Sequence, residues 1–411
     1  MIIRCVAVIV ALAVLCGGRA EAAQPSFRGI IWPRHDRTTG IVDWELRAET
    51  AQPTIANDQY VCTRPELTIY KVVNEKGHLS TRKDLVLKAE SGTYVHGSEK
   101  SFAKLDGRVV AHIYEDEEDK RKKEGEERGQ GVTTLTTSDA TVQSTWDKAT
   151  GTKTRVMNTQ ARVVMKTTSP TVIGEAAKGP SRELIGKGAT INQKTTKDGK
   201  GDKSTVTIHK NITMVIRGAV AADSLPVVPG ATGAQEKPAG EPVTITCLGP
   251  LTIDRLINSV DFQKQVALRR GATTLHCDEL MLQFPPPKPK KVLTEKEKEE
   301  RKERRRRKRE EEQAGGKPKP EKPEDAEREE DSGLQNMLAQ GNVAVIGKDQ
   351  QFSGSRFAWT PKSGLGVLTG NPARMTAPGT RARADKIEFD QRTQSVKYTG
   401  KAVVEIELKP E

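Results

Sequence analysis

The segments that decide the fold are GNVAV (341–345), SRFAW (355–359), GVLTGNP (366–372), RADKIEF (383–389) and VKYTGKAVV (396–404). Each has the length of a β-strand, and Gly, Asn and Pro residues mark the turns between them. Two forms alternate along this stretch. One is Gly-x-Val-x-Val, and the other is a small residue and Asp followed by alternating apolar residues. The pattern predicts consecutive β-hairpins.

The same two forms occur earlier in the chain. Gly107–Val109 is followed by Ser138–Val142, and Val266–Leu268 is followed by Cys277–Leu280. Repetition at 20 to 50 residues usually indicates stacked units that cannot bury their apolar faces alone. We therefore predict an all-β protein whose stacked antiparallel hairpins form an elongated β-jelly-roll, a taco-like trough with an apolar inner face.

Composition and charge agree with a thin β structure. Only 35% of the 411 residues are hydrophobic and 4% are aromatic, which is lean for one thick core. The net charge is +12, and the run 288–331 has 17 basic and 15 acidic residues, so +10 lies outside it. Because the charges of this run nearly cancel and aromatics are missing from it, we predict no nucleic-acid partner.

The first residues are typical of an export signal. Arg4 precedes the apolar run 5–16, and Ala20-Glu21-Ala22 matches a small-x-small cleavage site. The apolar run is shorter than the roughly 20 residues that span a membrane. The sequence therefore predicts a signal peptide over 1–22 and a periplasmic location, with membrane association left open.

Chemistry-bearing residues are few and scattered. Cys62, Cys247 and Cys277 follow the signal without metal-like spacing, so a Cys247–Cys277 disulfide and buried free thiols are the two interpretations. The run 276–279 (HCDE) cannot converge on one ion, because neighbouring strand residues point to opposite faces. No Gly-x-Ser-x-Gly, phosphate-loop or His-Glu-x-x-His motif occurs. We expect a non-enzymatic protein without a cofactor or metal.

Composition shifts divide the chain into five predicted parts. They are the signal peptide 1–22, a β domain 29–217 with a charged insert 115–130, a linker 218–242, a second β domain formed by 243–284 and 333–408, and a charged low-complexity insert 285–332. The two charged inserts have no apolar face and are expected to be disordered or helical.

These phrases resemble a known family. The "Gly-Asn-Val", "Leu-Thr-Gly-Asn-Pro" and "Ala-Asp-x-Ile-x-Phe" phrases at 341–400 are similar to periplasmic lipopolysaccharide-export proteins of the LptA, LptC and OstA N-terminal type. Residues 41–192 are more similar to the LptC branch, through Trp44–Ala48, Leu105–Val109 and Gly186–Ala189. The resemblance implies a β-jelly-roll that shields acyl chains and joins similar proteins edge to edge into a bridge between membranes.

Alternation places a set of apolar side chains on the inward face. A hypothetical acyl-chain groove is lined by Val343, Val345, Phe357, Trp359, Ile387, Phe389, Val404 and Ile406, with Leu408 beyond them. The alternative is that these residues meet one another as a closed core.

Hypothetical contacts to anionic headgroups at the groove mouth are Arg356, Arg374, Arg381 and Arg383. The alternative is solvated surface charge.

Two functions follow from these observations. The first is binding and transport of lipopolysaccharide or a similar amphiphile across the periplasm, as a bridge or carrier. The second is an envelope structural or assembly module that binds other proteins, or further copies of itself, through exposed sheet edges.

Overall fold

The computed structural model of the protein describes residues 26–35, 40–54, 58–75, 78–95, 100–114, 132–147, 149–168, 181–196, 203–217, 242–255, 257–284, 334–393 and 395–407. The predicted signal peptide, both charged inserts, the linker up to residue 241 and Leu408 lie outside these residues.

The described residues form strands and connecting turns, without a helix. The strands are β1 (Phe27–His35), β2 (Val42–Pro53), β3 (Gln59–Thr63), β4 (Glu66–Glu75), β5 (His78–Lys88), β6 (Ser91–Val95), β7 (Lys100–Tyr114), β8 (Val132–Asp147), β9 (Thr152–Thr168), β10 (Ser181–Thr195), β11 (Lys203–Arg217), β12 (Val243–Cys247), β13 (Leu251–Asp254), β14 (Ser259–Arg270), β15 (Thr273–Gln283), β16 (Asn336–Ile346), β17 (Gln351–Thr360), β18 (Leu365–Ala377), β19 (Thr380–Asp390), β20 (Ser395–Thr399) and β21 (Val403–Ile406).

The 21 described strands belong to one antiparallel sheet in which most strands pair with the strands that precede and follow them along the chain. This confirms the predicted all-β trough of stacked hairpins. β11 pairs with both β12 and β13, so the sheet continues from one predicted β domain into the next. One hydrophobic cluster likewise runs from Trp44 to Phe389. The two halves therefore share a continuous core.

Most long strands bend near their middle, and the bends divide the sheet into two layers. On β2, residues 44–47 pair with β4 whereas residues 50–53 pair with β3. The first layer runs from residues 44–47 of β2 to β21, and the second runs from residues 50–53 of β2 to β20. Because β2 and β7 pass through both layers, the segments β2, β3, β6, β7, β5 and β4 pair in a closed ring of six around the bend.

The two repeated sequence forms meet at these bends. Gly341 and Gly400 have φ of 71° and 89°, and a Cβ at either position would collide with a carboxylate oxygen, of Asp278 or Asp385 respectively. Asn342 Nδ2 donates a hydrogen bond of 2.8 Å to Asp278, and the Lys401 amide donates one of 3.1 Å to Asp385. The Asp of one form therefore stabilises the bend that the Gly of the other form makes possible.

The core lies between the layers and is densest towards the C-terminus. The ring centroid of Phe389 lies 5.7 Å from that of Phe352, 5.7 Å from that of Phe357 and 5.8 Å from that of Trp359. All four rings are buried. Burial of each such side chain contributes about 1.5 to 3 kcal/mol, so this aromatic group is a main stabilising element.

The three cysteines of the β sheet are free and buried. Cys247 lies on β12 and Cys277 on β15, and β14 lies between these two strands. The Cα atoms of the two cysteines are therefore two strand spacings apart, roughly 10 Å. Disulfides need Cα atoms within about 7 Å. The disulfide interpretation is therefore wrong, and the free-thiol interpretation is confirmed. Burial raises the pKa of Cys62 and Cys247 to about 11 and that of Cys277 to about 12.

Candidate functional site

Six of the eight predicted lining residues lie deep in the interior. They are Val343, Val345, Phe357, Trp359, Ile387 and Phe389, and each is at most 2% exposed. Their side chains belong to the packed core, as the closed-core alternative describes. An acyl chain reaches these six positions only if the two layers separate, so lipid contact there stays a prediction.

The other two, Val404 and Ile406, point inward but are uncovered. They pair with Ala382 and Thr380, and residues directly opposite on paired strands share a face. Ala382 is buried, whereas Val404 is 46% and Ile406 is 68% exposed. The inner face of the trough is therefore open to solvent at its C-terminal end.

Contacts between the layers explain this opening. In the second layer, Arg155 of β9 contacts the Tyr70 carbonyl of β4 in the first layer, and Gln193 of β10 contacts Asp84 of β5. Arg255, just after β13, contacts the Tyr114 carbonyl of β7. Each contact links a second-layer strand to a first-layer strand four or five positions earlier along the sheet. At the C-terminal end the offset is two strands, because the Tyr398 hydroxyl of β20 donates to Met375 Sδ of β18. At about 4.8 Å per strand, the first layer therefore extends roughly 10 Å beyond the second there.

The N-terminal end is closed by aromatic side chains. Trp32 of the edge strand β1 places its ring centroid 4.5 Å from Tyr60 and 6.0 Å from Tyr94. Trp44 lies 5.2 Å from Tyr94 on the other side. These edge-to-face contacts fill the space between the layers. Burial also raises the pKa of Tyr94.

Beside this aromatic group, a polar seam joins the layers. We use this name for Asp43, Lys153, Arg155, Ser101 and Arg34. The Lys153 ammonium forms an ion pair with the Asp43 carboxylate, and Arg34 donates to the Ser101 hydroxyl. Arg155 donates to the carbonyl oxygens of Asp43 and Tyr70, both at 3.4 Å.

A small cavity adjoins the seam. It measures about 20 Å³, room for about one water molecule, and is partly open to solvent. Its lining comes from both layers and consists of Trp44, Leu67, Ile69, Tyr94, Ser101, Phe102, Ala103, Val142, Ser144 and Arg155.

Two buried polar atoms of this lining, Trp44 Nε1 and Ser144 Oγ, have no hydrogen-bond partner within the described part of the chain. Sequence reasoning missed this cavity. The signal that could have found it is polar residues at inward positions of alternating strands, namely Ser144 after Val142 and Arg155 before Met157.

The four predicted headgroup arginines are exposed on the outer face and do not line the groove mouth. Arg374 and Arg383 lie beside the inward-facing Ala373 and Ala384, so their side chains point outward. Arg381 and Arg356 alternate in the same way with buried neighbours. Arg374 and Arg383 are directly opposite each other on β18 and β19. Headgroup contact by these four arginines stays a prediction.

Both ends of the sheet present edge strands. β1 pairs only with β2, and β20 and β21 pair only with β19 within the described residues. Their other sides carry backbone groups that are able to pair with a further strand. Pro33 interrupts this potential on β1, since proline has no N–H to donate.

Two comparisons with known proteins found no match. No family model matches the chain, and no curated protein matches it. Across the residues given above, no group of three or more His, Cys, Asp or Glu side chains is placed to hold a metal ion. Nor do those residues form a helix long and apolar enough to cross a bilayer. The site is therefore defined by its geometry alone, as a two-layered apolar interior that is closed at one end and open at the other.

Proposed function

We propose that this protein binds lipopolysaccharide or a similar amphiphile and conducts it across the periplasm, as a non-enzymatic bridge or carrier. The observation that carries the proposal is the exposure of Val404 and Ile406 on the inward face of an otherwise buried apolar interior. Exposed apolar side chains that continue a core are suited to receive an acyl chain.

The continuity of the core supports the proposal further. The buried cluster includes residues from β2 to β19 without a break at residues 218–242. Once the layers separate, an acyl chain that enters at the C-terminal end therefore meets apolar side chains along the whole trough.

Photo-crosslinking tests the proposal at two adjacent residues. Val404 faces inward, whereas Val403 pairs with the outward-facing Arg383 and is similarly exposed at 40%. Benzoylphenylalanine is introduced at Val404, at Ile406 or, as the matched control, at Val403. We expect adducts with labelled lipopolysaccharide at Val404 and Ile406, and at least fivefold fewer at Val403.

Equal adducts at Val403 and Val404 would contradict an inward acyl site, and so would the lack of adducts at both Val404 and Ile406. A further probe at the buried Phe389 reports on conduction. Adducts at Phe389 are expected only if the layers separate to admit the chain.

Edge pairing favours a second candidate function, an envelope assembly module. The unpaired sides of β20 and β21 are suited to strand addition by a similar protein or a second copy of this chain. Sedimentation of Val404→Asp distinguishes the two functions. Edge pairing predicts self-association that persists in this variant, whereas acyl binding is lost because a charge lies on the inward face.

A further inference from the structure

The cavity beside the polar seam offers hydrogen-bond donors that the protein does not use. Trp44 is 4% exposed and its Nε1–H is a donor only, and Ser144 is 9% exposed. Neither polar atom has a partner within the described residues. A buried polar group without a partner costs about 1 to 3 kcal/mol, so such atoms in a native fold call for an explanation.

The charges around the cavity favour an anion. Arg155 lines it, Lys153 and Asp43 form an ion pair with each other, and Arg34 binds the Ser101 hydroxyl at its wall. These four side chains carry three positive charges and one negative charge. The Asp43 charge is offset by Lys153, so an incoming oxyanion meets a net positive surrounding.

The remaining lining is apolar. Leu67 and Ile69 come from the first layer, and Val142 and Ala103 come from the second. The cavity as folded has room for about one water molecule, so it must widen to admit a headgroup, whose tail follows the apolar walls between the layers. The combination of a few donors and an apolar wall is typical of sites for amphipathic ligands.

We propose that this cavity binds the oxyanion of an anionic amphiphile, a carboxylate or a phosphate at the end of an acyl chain, through Trp44 Nε1–H, the Ser144 hydroxyl and the Arg155 guanidinium. The proposal rests on the proposed function, since both require an amphiphile to enter the trough. It adds the chemical group that is recognised and a site at the closed end.

Calorimetric titration of the full chain tests the site with three probes. Dodecanoate, below its micelle concentration, carries both the tail and the carboxylate. Dodecanol carries the tail without the charge, and inorganic phosphate carries the charge without the tail. We expect dodecanoate to bind at least tenfold more tightly than dodecanol, and we expect phosphate alone to bind more weakly than dodecanoate.

Two conservative variants locate the binding. Trp44→Phe keeps an aromatic ring without the N–H, and Ser144→Ala removes only the hydroxyl. One hydrogen bond to a charged group contributes roughly tenfold in affinity, so each variant is expected to weaken dodecanoate binding by about five- to tenfold. Ser259→Ala is the matched control, because Ser259 is a buried second-layer serine whose hydroxyl already donates to Asp261. It should leave the affinity unchanged.

Thermal unfolding of Ser144→Ala separates a binding role from a structural one. Because its hydroxyl has no hydrogen-bond partner among the described residues, its removal should leave the melting temperature unchanged or higher while binding weakens. A lower melting temperature with unchanged binding would overturn the proposal.

Other outcomes bear differently on the two proposals. If dodecanoate binds equally to the parent, Trp44→Phe and Ser144→Ala, amphiphile binding stands and this site is wrong. If phosphate binds as tightly as dodecanoate, the tail plays no part and the proposed ligand class is wrong. If no amphiphile binds at this cavity and lipopolysaccharide also fails to crosslink at Val404 and Ile406, both proposals fail.

Discussion

The two ends of the trough are built from the same hairpins but differ in how they finish. At the N-terminal end, Trp32 fills the space between the layers against Tyr60 and Tyr94. At the C-terminal end, Val404 and Ile406 continue the inner face without a covering layer. Because the strands and bends are alike, the difference comes from the side chains and from the displacement between the layers. One continuous sheet therefore has a closed end and an open end, although the fold is the same throughout.

The interiors of the two halves differ as well. Among the residues that the structure describes, nine of the eleven buried polar or charged ones lie between Asp43 and Gln193, and the other two are Ser259 and Thr273. Four stacked or tilted aromatic rings fill the corresponding space near the C-terminus. The N-terminal half thus combines aromatic packing with polar contacts between the layers, whereas the C-terminal half depends mainly on packing. The following predictions test this contrast.

The largest loss of stability is expected when the aromatic ring of Phe389, at the centre of the C-terminal aromatic group, is removed. Phe389→Ala removes a buried side chain that contacts three other rings, so we expect the free energy of unfolding to fall by about 3 to 5 kcal/mol. Urea denaturation measures this change. Phe27→Ala, at a position 48% exposed on β1, is the control and should cost less than about 1 kcal/mol. Similar losses in both variants would contradict a packed C-terminal interior.

The N-terminal half should respond instead to loss of an ionic partner. Lys153→Met leaves the Asp43 carboxylate buried without its counter-charge, and we expect a loss of about 3 kcal/mol in the same measurement. Lys166 pairs with Glu183 on the surface, so Lys166→Met should leave stability nearly unchanged. If Lys153→Met is as harmless as Lys166→Met, the polar seam does not hold the layers together.

The sequence predicted the fold better than the site. Alternation at residues 341–404 determines which side chains face inward, because strand residues alternate between two faces. It could not show that Phe357 is sealed while Ile406 is open, since exposure depends on the displacement between layers. The charge at positions 374 and 383 indicates solvent contact, but it does not indicate which face of the sheet carries the two arginines. The cavity at Trp44 depends on residues about 100 positions apart, which no local pattern connects.

A smaller effect is expected at the bends, which both halves share. Gly341→Ala places a Cβ against Asp278 at a positive φ, and we expect it to cost about 1 to 3 kcal/mol. A double-mutant cycle with Asp278→Ala separates the collision from the backbone strain. The double variant should recover part of the stability, because the contacts with the carboxylate of Asp278 are removed while the 2.9 Å contact with its Cβ and the φ strain remain. No recovery at all would show that the carboxylate contacts do not contribute to the cost.

The equivalent bend in the N-terminal half is at Gly107, which has a φ of 88°. A Cβ at this position would collide with the Glu90 side chain. Gly107→Ala should cost less than Gly341→Ala, since the longer glutamate side chain can move aside. This comparison checks whether the bend is a common device or one specific to the C-terminal half.

The smallest effect concerns the outer face near the open end. Arg374 and Arg383 are directly opposite on β18 and β19, and neither has an ion pair within the described residues. Like charges opposite each other destabilise a sheet, so Arg383→Gln should raise the free energy of unfolding by up to about 0.5 kcal/mol at low salt. Added salt should abolish the gain, because it screens exposed charges. A loss of stability on substitution would mean that the arginine pair is held by an anionic partner. Repeating the denaturation with and without lipopolysaccharide tests that outcome, since a bound headgroup would reverse the sign of the effect only when it is present.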